Sequence, residues 1–178
     1  MTLAEDVSAV LGLAPVMSYD VLQVDVDRTA WADTVTVARD RMGLVFFDLL
    51  TAVEGEGSFD VVLRLWAPAR REGLLLRTSC PHDDPSVPTL LGVFAGAGWH
   101  ERATAELFGI VFTGHDTAPL LLPASFQGHP LRKDFVLATR VVRPWPGVKE
   151  PGESDRDLAR PGRRVVTPPG TPTPGTWG

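Results

Sequence analysis

Two short stretches of this chain contain residue types from which a functional site could be built. In the first, Cys80, His82, Asp83 and Asp84 fall within five residues, and all four side chains can bind a metal ion. Such short spacing cannot surround a tetrahedral metal, and no second ligand pair stands at the spacing of a zinc finger. We therefore expect a polar turn, closed by Pro85, and no metal site.

Phosphate-binding and hydrolase sites are also disfavoured. The glycine-rich segment 92–98 has neither the dinucleotide-binding spacing nor a Gly-Lys-Ser/Thr ending, so close helix packing explains its glycines better. Ser125 and the four histidines are not accompanied by the Gly-x-Ser-x-Gly elbow of a hydrolase. We expect no catalytic, cofactor-binding or metal-binding residue in this chain.

The second stretch, residues 99–135, contains charge, glycine and histidine where a core would be apolar. Glu101, Arg102 and Glu106 are predicted to lie on one helix, with the last two spaced as an i,i+4 ion pair. Prolines at 119 and 123 then predict that residues 113–135 form a long ordered loop. A loop this long in a compact domain is usually functional or held by a partner.

The end of that loop has the chemistry of a docking segment. The run Gly128-His129-Pro130-Leu131-Arg132-Lys133-Asp134-Phe135 combines a rigid bend, two cations, an anion and an aromatic ring. Phe135 could anchor this run in a partner, and Arg132 could donate to a carboxylate through two hydrogen bonds. A solvated surface turn is the alternative.

These residues resemble a known family in their order and spacing. The stretch Glu101-Arg102-x-x-x-Glu106-Leu107-Phe108-Gly109-Ile110, the pair Gly114-His115 and the run 128–135 look like the 30 kDa subunit of respiratory complex I, an NADH-quinone oxidoreductase. A looser resemblance extends through residues 47–66, so it covers about residues 1–150. Two departures are Ala103, where the family usually has Glu, and residues 116–120, which lack the usual arginines.

The resemblance implies a structural subunit of the peripheral arm of a proton-translocating NADH:quinone oxidoreductase. Such a subunit lies beside the large subunit of the quinone site and carries no redox centre. The quinone, flavin and iron–sulfur clusters would belong to partner subunits, through which the chain would associate with the cytoplasmic face of the cell membrane. An equivalent subunit of a membrane-bound hydrogenase or of a deazaflavin-dependent quinone or phenazine oxidoreductase is the alternative.

The resemblance also defines a set of candidate motif or interface residues, which either brace the long loop or meet the large subunit. They are Glu101, Arg102, Glu106, Phe108, Gly109, Gly114, His115, Gly128, His129, Pro130, Leu131, Arg132, Lys133, Asp134 and Phe135.

The composition of the 178-residue chain independently excludes several functions. A single cysteine cannot form a disulfide framework or hold an iron–sulfur cluster, which needs about four cysteine ligands. A net charge of −5 disfavours nucleic-acid binding. The acidic N-terminus is unlike a secretory signal, and no apolar run approaches the roughly 20 residues of a membrane span.

The hydrophobic pattern predicts the elements that must position these residues. Helices are expected after a capping box at Thr2 and over residues 29–42, 87–97 and 99–108; strands are expected over residues 21–26, 44–53, 58–66 and 74–78, with 110–112 returning to the sheet. This order predicts a two-layer α+β domain with a mixed, mostly antiparallel sheet.

We place that domain at residues 1–140, and an extended Pro/Gly-rich tail at residues 141–178. The tail is either solvated or an arm on a partner.

Overall fold

A computed structural model describes residues 2–123 and 126–135 of the chain. The helices are α1 (Leu3–Asp6, continued by a π-helical turn at Val7–Leu11), α2 (Trp31–Met42, preceded by a 3-10 turn at Arg28–Ala30) and α3 (Ala97–Phe108). The strands are β1 (Val16–Ser18), β2 (Val21–Asp25), β3 (Phe46–Glu54), β4 (Ser58–Ala67), β5 (Glu72–Pro81), β6 (Ser86–Pro88) and β7 (Val111–Thr113). The predicted tail 141–178 and the boundary at residue 140 lie outside the described residues.

The main sheet has five strands in the order β1-β2-β5-β4-β3. Strands β2 and β5 are parallel, and the other neighbouring pairs are antiparallel. Along β4, Phe59, Val61, Leu63 and Leu65 are fully buried, whereas the residues between them remain partly exposed. This alternation places the hydrophobic core on one face of the sheet and confirms the predicted α+β class.

The first two predicted helices are confirmed in position. Thr2 forms the expected capping box, because its hydroxyl accepts the Glu5 N–H while the Glu5 carboxylate accepts the Thr2 N–H. Helix α2 ends at Gly43, which has a φ of +72°. The buried residues of α2 are those of the predicted apolar stripe, Trp31, Val35, Ala38 and Met42.

The predicted helix over residues 87–97 is wrong. Residues 86–88 form strand β6, and turns connect it to α3. The pairing of residues 86–88 with residues 111–113 supplies the main physical reason, and Pro88 adds to it by disfavouring helical geometry at the preceding residue, Val87. Residues 110–112 do form part of a strand, β7, but it pairs in parallel with β6 in a separate two-stranded sheet, where Val87 lies opposite Phe112.

Candidate functional site

Helix α3 presents the charged motif residues in two directions. Glu101 lies on the buried face, which it shares with Thr104 and Phe108 at helical spacing. Arg102 and Glu106 lie one turn apart on the outer part of the helix and remain partly exposed. A single helix can therefore hold one segment inside the fold and another on its surface.

Glu101 is fully buried and connects three parts of the chain. Its Oε1 accepts the Leu90 N–H at 2.6 Å, and its Oε2 accepts the Thr89 hydroxyl at 2.6 Å. Nδ1 of His115, whose side chain is 11 % exposed, lies 2.7 Å from the same Oε2. Both side-chain oxygens are thus hydrogen-bonded, which is what allows a polar group to remain in the core. The contacts join α3 to the segments that follow β6 and β7.

Arg102 and Glu106 hold the long loop instead of pairing directly with each other. The guanidinium of Arg102 donates from Nε to the Ala118 carbonyl at 2.7 Å and from Nη2 to the Pro119 carbonyl at 2.8 Å. The Glu106 carboxylate accepts three consecutive backbone N–H groups at 3.1, 2.8 and 2.5 Å, those of Leu120, Leu121 and Leu122. Five hydrogen bonds from two charged side chains therefore fix residues 118–122 against α3.

These contacts change the acidity of Glu106. Partial burial on its own would raise the pKa of this carboxyl. The opposing effects are larger in sum, because three backbone N–H groups and the nearby charge of Arg102 all favour the ionised form. The pKa of Glu106 therefore lies below its ordinary value of 4.5 in the folded chain.

We expect acid to loosen the segment that Glu106 holds. Because the folded pKa is lowered, the stabilising effect is complete well above pH 4.5 and is lost as the pH falls through the folded pKa. Hydrogen exchange of the Leu120, Leu121 and Leu122 amides, corrected for intrinsic rates, should show reduced protection in that acidic range. Glu106→Gln is the matched control and should abolish the pH dependence. An unchanged pH profile in that variant would contradict the assignment.

The run 128–135 docks on the C-terminal end of α3. Nδ1 of His129 lies 2.8 Å from the Glu106 carbonyl oxygen, and the Leu131 N–H donates to the Leu107 carbonyl at 3.1 Å. Gly109, which ends the helix, donates its N–H to the Ala105 carbonyl at 2.8 Å. Carbonyls that the last helical turn cannot satisfy internally are thus used to bind this run.

Two glycines of the motif allow close contacts in this region. A Cβ on Gly109, whose φ is +77°, would lie 2.7 Å from both Cδ2 and Nε2 of His129. A Cβ on Gly128 would lie 3.1 Å from Cε2 of Phe135. The Phe135 ring stacks on Phe126 with centroids 5.8 Å apart and an interplanar angle of 25°. The predicted anchor is thus partly covered by its own chain.

The charged end of the run contacts the sheet. Arg132 lies within hydrogen-bonding distance of both Asp134 carboxylate oxygens, at 3.2 and 3.4 Å, and its guanidinium carbon is 5.2 Å from the centroid of the Phe59 ring. Lys133 donates its backbone N–H to the Glu54 carboxylate at the end of β3. The run is therefore held from two sides, by α3 and by the β3–β4 hairpin.

The remaining predicted residues have structural positions. Phe108 is 7 % exposed and meets the Phe59 ring edge to face at 6.3 Å, and Gly114 precedes His115 in the turn after β7. Pro130 lies in the docked run. Cys80 is fully buried, and burial raises the pKa of its thiol. Ser125 lies outside the described residues.

Sequence reasoning missed the partners of these charged residues. The Thr89 hydroxyl binds Glu101 from 12 residues away in the sequence. The Glu54 carboxylate binds the Lys133 N–H from 79 residues away. Most of the other partners are backbone atoms, which have no sequence signature. The motif therefore identified one half of each contact.

Comparison with known proteins identifies the family. The model of the family described as "Respiratory-chain NADH dehydrogenase, 30 Kd subunit" matches residues 24–141. The chain belongs to this family, as the motif resemblance predicted. Its curated relatives include the C subunit of NADH-quinone oxidoreductase from Roseiflexus sp. (strain RS-1), with 42% identity over 88 residues, which are 49% of this chain and 51% of the relative.

A second relative matches over a longer stretch. The same subunit of NADH-quinone oxidoreductase from Mesorhizobium japonicum is 35% identical over 127 residues, which are 68% of this chain and 63% of that protein. The chain thus spans between about half and under two thirds of the length of these relatives.

Two solved structures share the fold. A trypsin-resistant fragment of Nqo5 is 25% identical with a TM-score of 0.55, over 63% of this chain and 93% of that one. A chain of the membrane-bound sulfane sulfur reductase, an archaeal respiratory membrane complex, is 21% identical with a TM-score of 0.56, over 66% of this chain and 74% of that one. Across residues 2–123 and 126–135, no helix is long and apolar enough to cross a membrane.

Proposed function

We propose that this chain is a non-redox structural subunit of the peripheral arm of a proton-translocating NADH:quinone oxidoreductase. It supports the quinone-reducing module beside the large subunit. One observation supports the proposal most directly. The charged residues of the family motif, Glu101, Arg102 and Glu106, bind groups of their own chain. Residues that fix loops in this way build a shaped surface, which is what a supporting subunit needs.

The redox groups of the proposed enzyme belong to its partners. With one cysteine in the whole sequence, this chain cannot supply the set of about four ligands that an iron–sulfur cluster needs. Electrons therefore pass through clusters in neighbouring subunits, and the flavin and quinone bind there as well. The chain associates with the cytoplasmic face of the cell membrane through these partners.

A second candidate is the equivalent subunit of a related membrane-bound hydrogenase or deazaflavin-dependent oxidoreductase. What favours it is the shared fold with a chain of the membrane-bound sulfane sulfur reductase, a respiratory complex with a different name and reaction. The two candidates differ in their electron-donor module, so the identity of the proteins bound to the chain separates them.

The experiment is affinity purification of the tagged full-length chain from gently solubilised membranes of its own organism. We expect iron–sulfur subunits, a quinone-site large subunit and an NADH-oxidising module to co-purify, with NADH:quinone reductase activity in the complex and none in the isolated chain. Turnover by the isolated chain, or recovery of the chain alone, would contradict the proposal. A hydrogenase or deazaflavin-oxidising module would favour the second candidate.

Arg132→Ala tests whether the docked run also meets a partner. Its contacts to Asp134 and Phe59 predict a loss of about 1–2 kcal/mol in the free energy of unfolding. We expect a larger loss in recovered complex and quinone reductase activity than this small destabilisation explains. Arg41→Ala, an exposed arginine in the last turn of α2, is the control. Normal assembly and activity of the Arg132 variant would count against an interface role.

A further inference from the structure

The second face of the five-stranded sheet is not covered by the helices. Every residue on this face is at least partly exposed to solvent, whereas the buried residues of the sheet all point to the other side. We call it the open sheet face and define it by Val16, Gln23, Asp25, Phe46, Asp48, Leu49, Thr51, Val53, Asp60, Val62, Arg64, Trp66, Gly73, Leu75, Arg77 and Ser79. Nothing in residues 2–123 or 126–135 forms a third layer on it.

One end of this face has the residue types of a binding hot spot. A Cβ on Gly73 would lie only 2.6 Å from Cε3 of Trp66, so the indole covers the glycine. The guanidinium of Arg64 lies 5.8 Å from the centroid of the Trp66 ring. On the neighbouring strand Phe46 lies opposite Trp66 and is 54% exposed, and Leu49 is 42% exposed. Tryptophan, arginine and phenylalanine are enriched in protein interfaces, and an exposed apolar patch of this kind marks an interaction site.

The charges of the open sheet face lie beside one another, although Nε of Arg64 has no hydrogen-bond partner in the part of the chain that the structure describes. Arg77 forms two hydrogen bonds with Asp25, at 2.7 and 2.9 Å, and lies 3.7 Å from Asp60. Arg64 lies 3.4 Å from Asp48. Covering these groups removes water from both ion pairs, which is costly unless the covering surface offers them hydrogen bonds. The complementary surface is therefore apolar opposite Trp66, Phe46 and Leu49 and offers hydrogen-bonding groups opposite the charged pairs.

The size of the face fits a contact between two folded subunits. Strands lie about 4.8 Å apart and rise about 3.3 Å per residue, so a sheet of this size presents roughly 600–800 Å² on one face. A standard protein–protein interface buries about 800 Å² per partner. The face is thus large enough for a specific contact with a folded protein.

We propose that the open sheet face is the contact surface for another subunit of the complex, which forms a third layer with apolar groups over Trp66, Phe46 and Leu49 and hydrogen-bonding groups over the charged pairs. This inference rests on the proposed function and adds the surface through which the chain is held. Trp66, Phe46 and Leu49 form the apolar part of the contact, and the Arg77–Asp25 and Arg64–Asp48 pairs remain intact within it.

Hydroxyl-radical footprinting of the full-length chain, free and in the complex purified from membranes, tests the proposal. We expect Trp66, Phe46 and Leu49 to be oxidised readily in the free chain and at least about fivefold more slowly in the complex. Equal oxidation in both states would overturn it. If these residues are oxidised slowly in the free chain at every concentration, residues 136–178 of the same chain cover the face. If their protection rises with the concentration of the free chain, a second copy covers it. Either result would also overturn the proposal.

A pair of matched variants gives an independent measurement. Leu49→Asp places a charge on the open sheet face, whereas Val111→Asp places one on β7 at a site that is 55% exposed. We expect Leu49→Asp to recover at least about tenfold less partner protein, and Val111→Asp to recover close to the normal amount. Equal losses for both would overturn the proposal, and thermal unfolding of the purified variants checks that both fold.

If iron–sulfur subunits fail to co-purify with the unaltered chain, the proposed function fails. If these subunits co-purify while Trp66 stays reactive, only the surface assignment fails.

Discussion

Glu101→Ala should lower the free energy of unfolding by about 3–5 kcal/mol, because it leaves three hydrogen-bonding groups without their partner at about 1–3 kcal/mol for each group that is buried. The substitution removes the acceptor of the Leu90 N–H, the Thr89 hydroxyl and the His115 ring nitrogen. All three groups lie in or beside the core, so each loses a hydrogen bond that water replaces poorly. Urea unfolding of the purified chain measures the loss.

Glu106→Ala is the control for this prediction. Glu106 also accepts three hydrogen bonds, but its partners belong to a partly exposed loop, where water can replace the carboxylate. Its removal should cost about 1 kcal/mol and affect residues 118–122 locally. Glu101→Gln keeps the shape of the side chain and should fall between the two alanine variants. If both alanine variants lose the same free energy of unfolding, the burial of Glu101 does not determine how much this residue stabilises the fold.

The comparison of sequence and structure shows which interactions a periodic pattern can reveal. Helix α2 and strand β4 were predicted correctly, because each buries its apolar residues at the repeat of its own backbone. The segment 87–97 has a similar helical spacing, with buried residues at Val87, Leu90, Phe94 and Ala97. It nevertheless forms a strand and turns, because Pro88 and the non-local pairing of β6 with β7 override the local pattern.

The candidate site shows a similar limit for side chains. The blocks 101–110, 114–115 and 128–135 together identify the family, but the spacing of Arg102 and Glu106 predicts an ion pair between these two residues. The structure instead directs both side chains to backbone groups of residues 118–122. Every residue has a backbone carbonyl and every residue except proline has a backbone N–H, so no residue type marks the ones that a charged side chain will bind. Only the path of the loop in three dimensions determines them.

Gly109→Ala should lower the free energy of unfolding by about 2–3 kcal/mol and release the run 128–135 from α3. Holding alanine in the left-handed conformation costs about 1–2 kcal/mol, and Gly109 has a φ of +77°. In addition, the new Cβ would lie 2.7 Å from the His129 ring, so the ring must move away from the Glu106 carbonyl that it contacts at 2.8 Å. Urea unfolding measures the total, and hydrogen exchange at the Leu131 amide reports release of the run.

Gly43→Ala separates the two causes. Gly43 ends α2 as Gly109 ends α3, and both helices have 12 residues. The φ of Gly43, +72°, is close to the +77° of Gly109. No atom beyond the adjoining residues lies within 4 Å of a Cβ built on Gly43. This variant should therefore show the conformational cost alone and leave Leu131 exchange unchanged, whereas Gly109→Ala should speed that exchange at least about tenfold. Equal effects of the two variants would mean that Gly109 only ends its helix, because its close approach to His129 would then contribute nothing to holding the run.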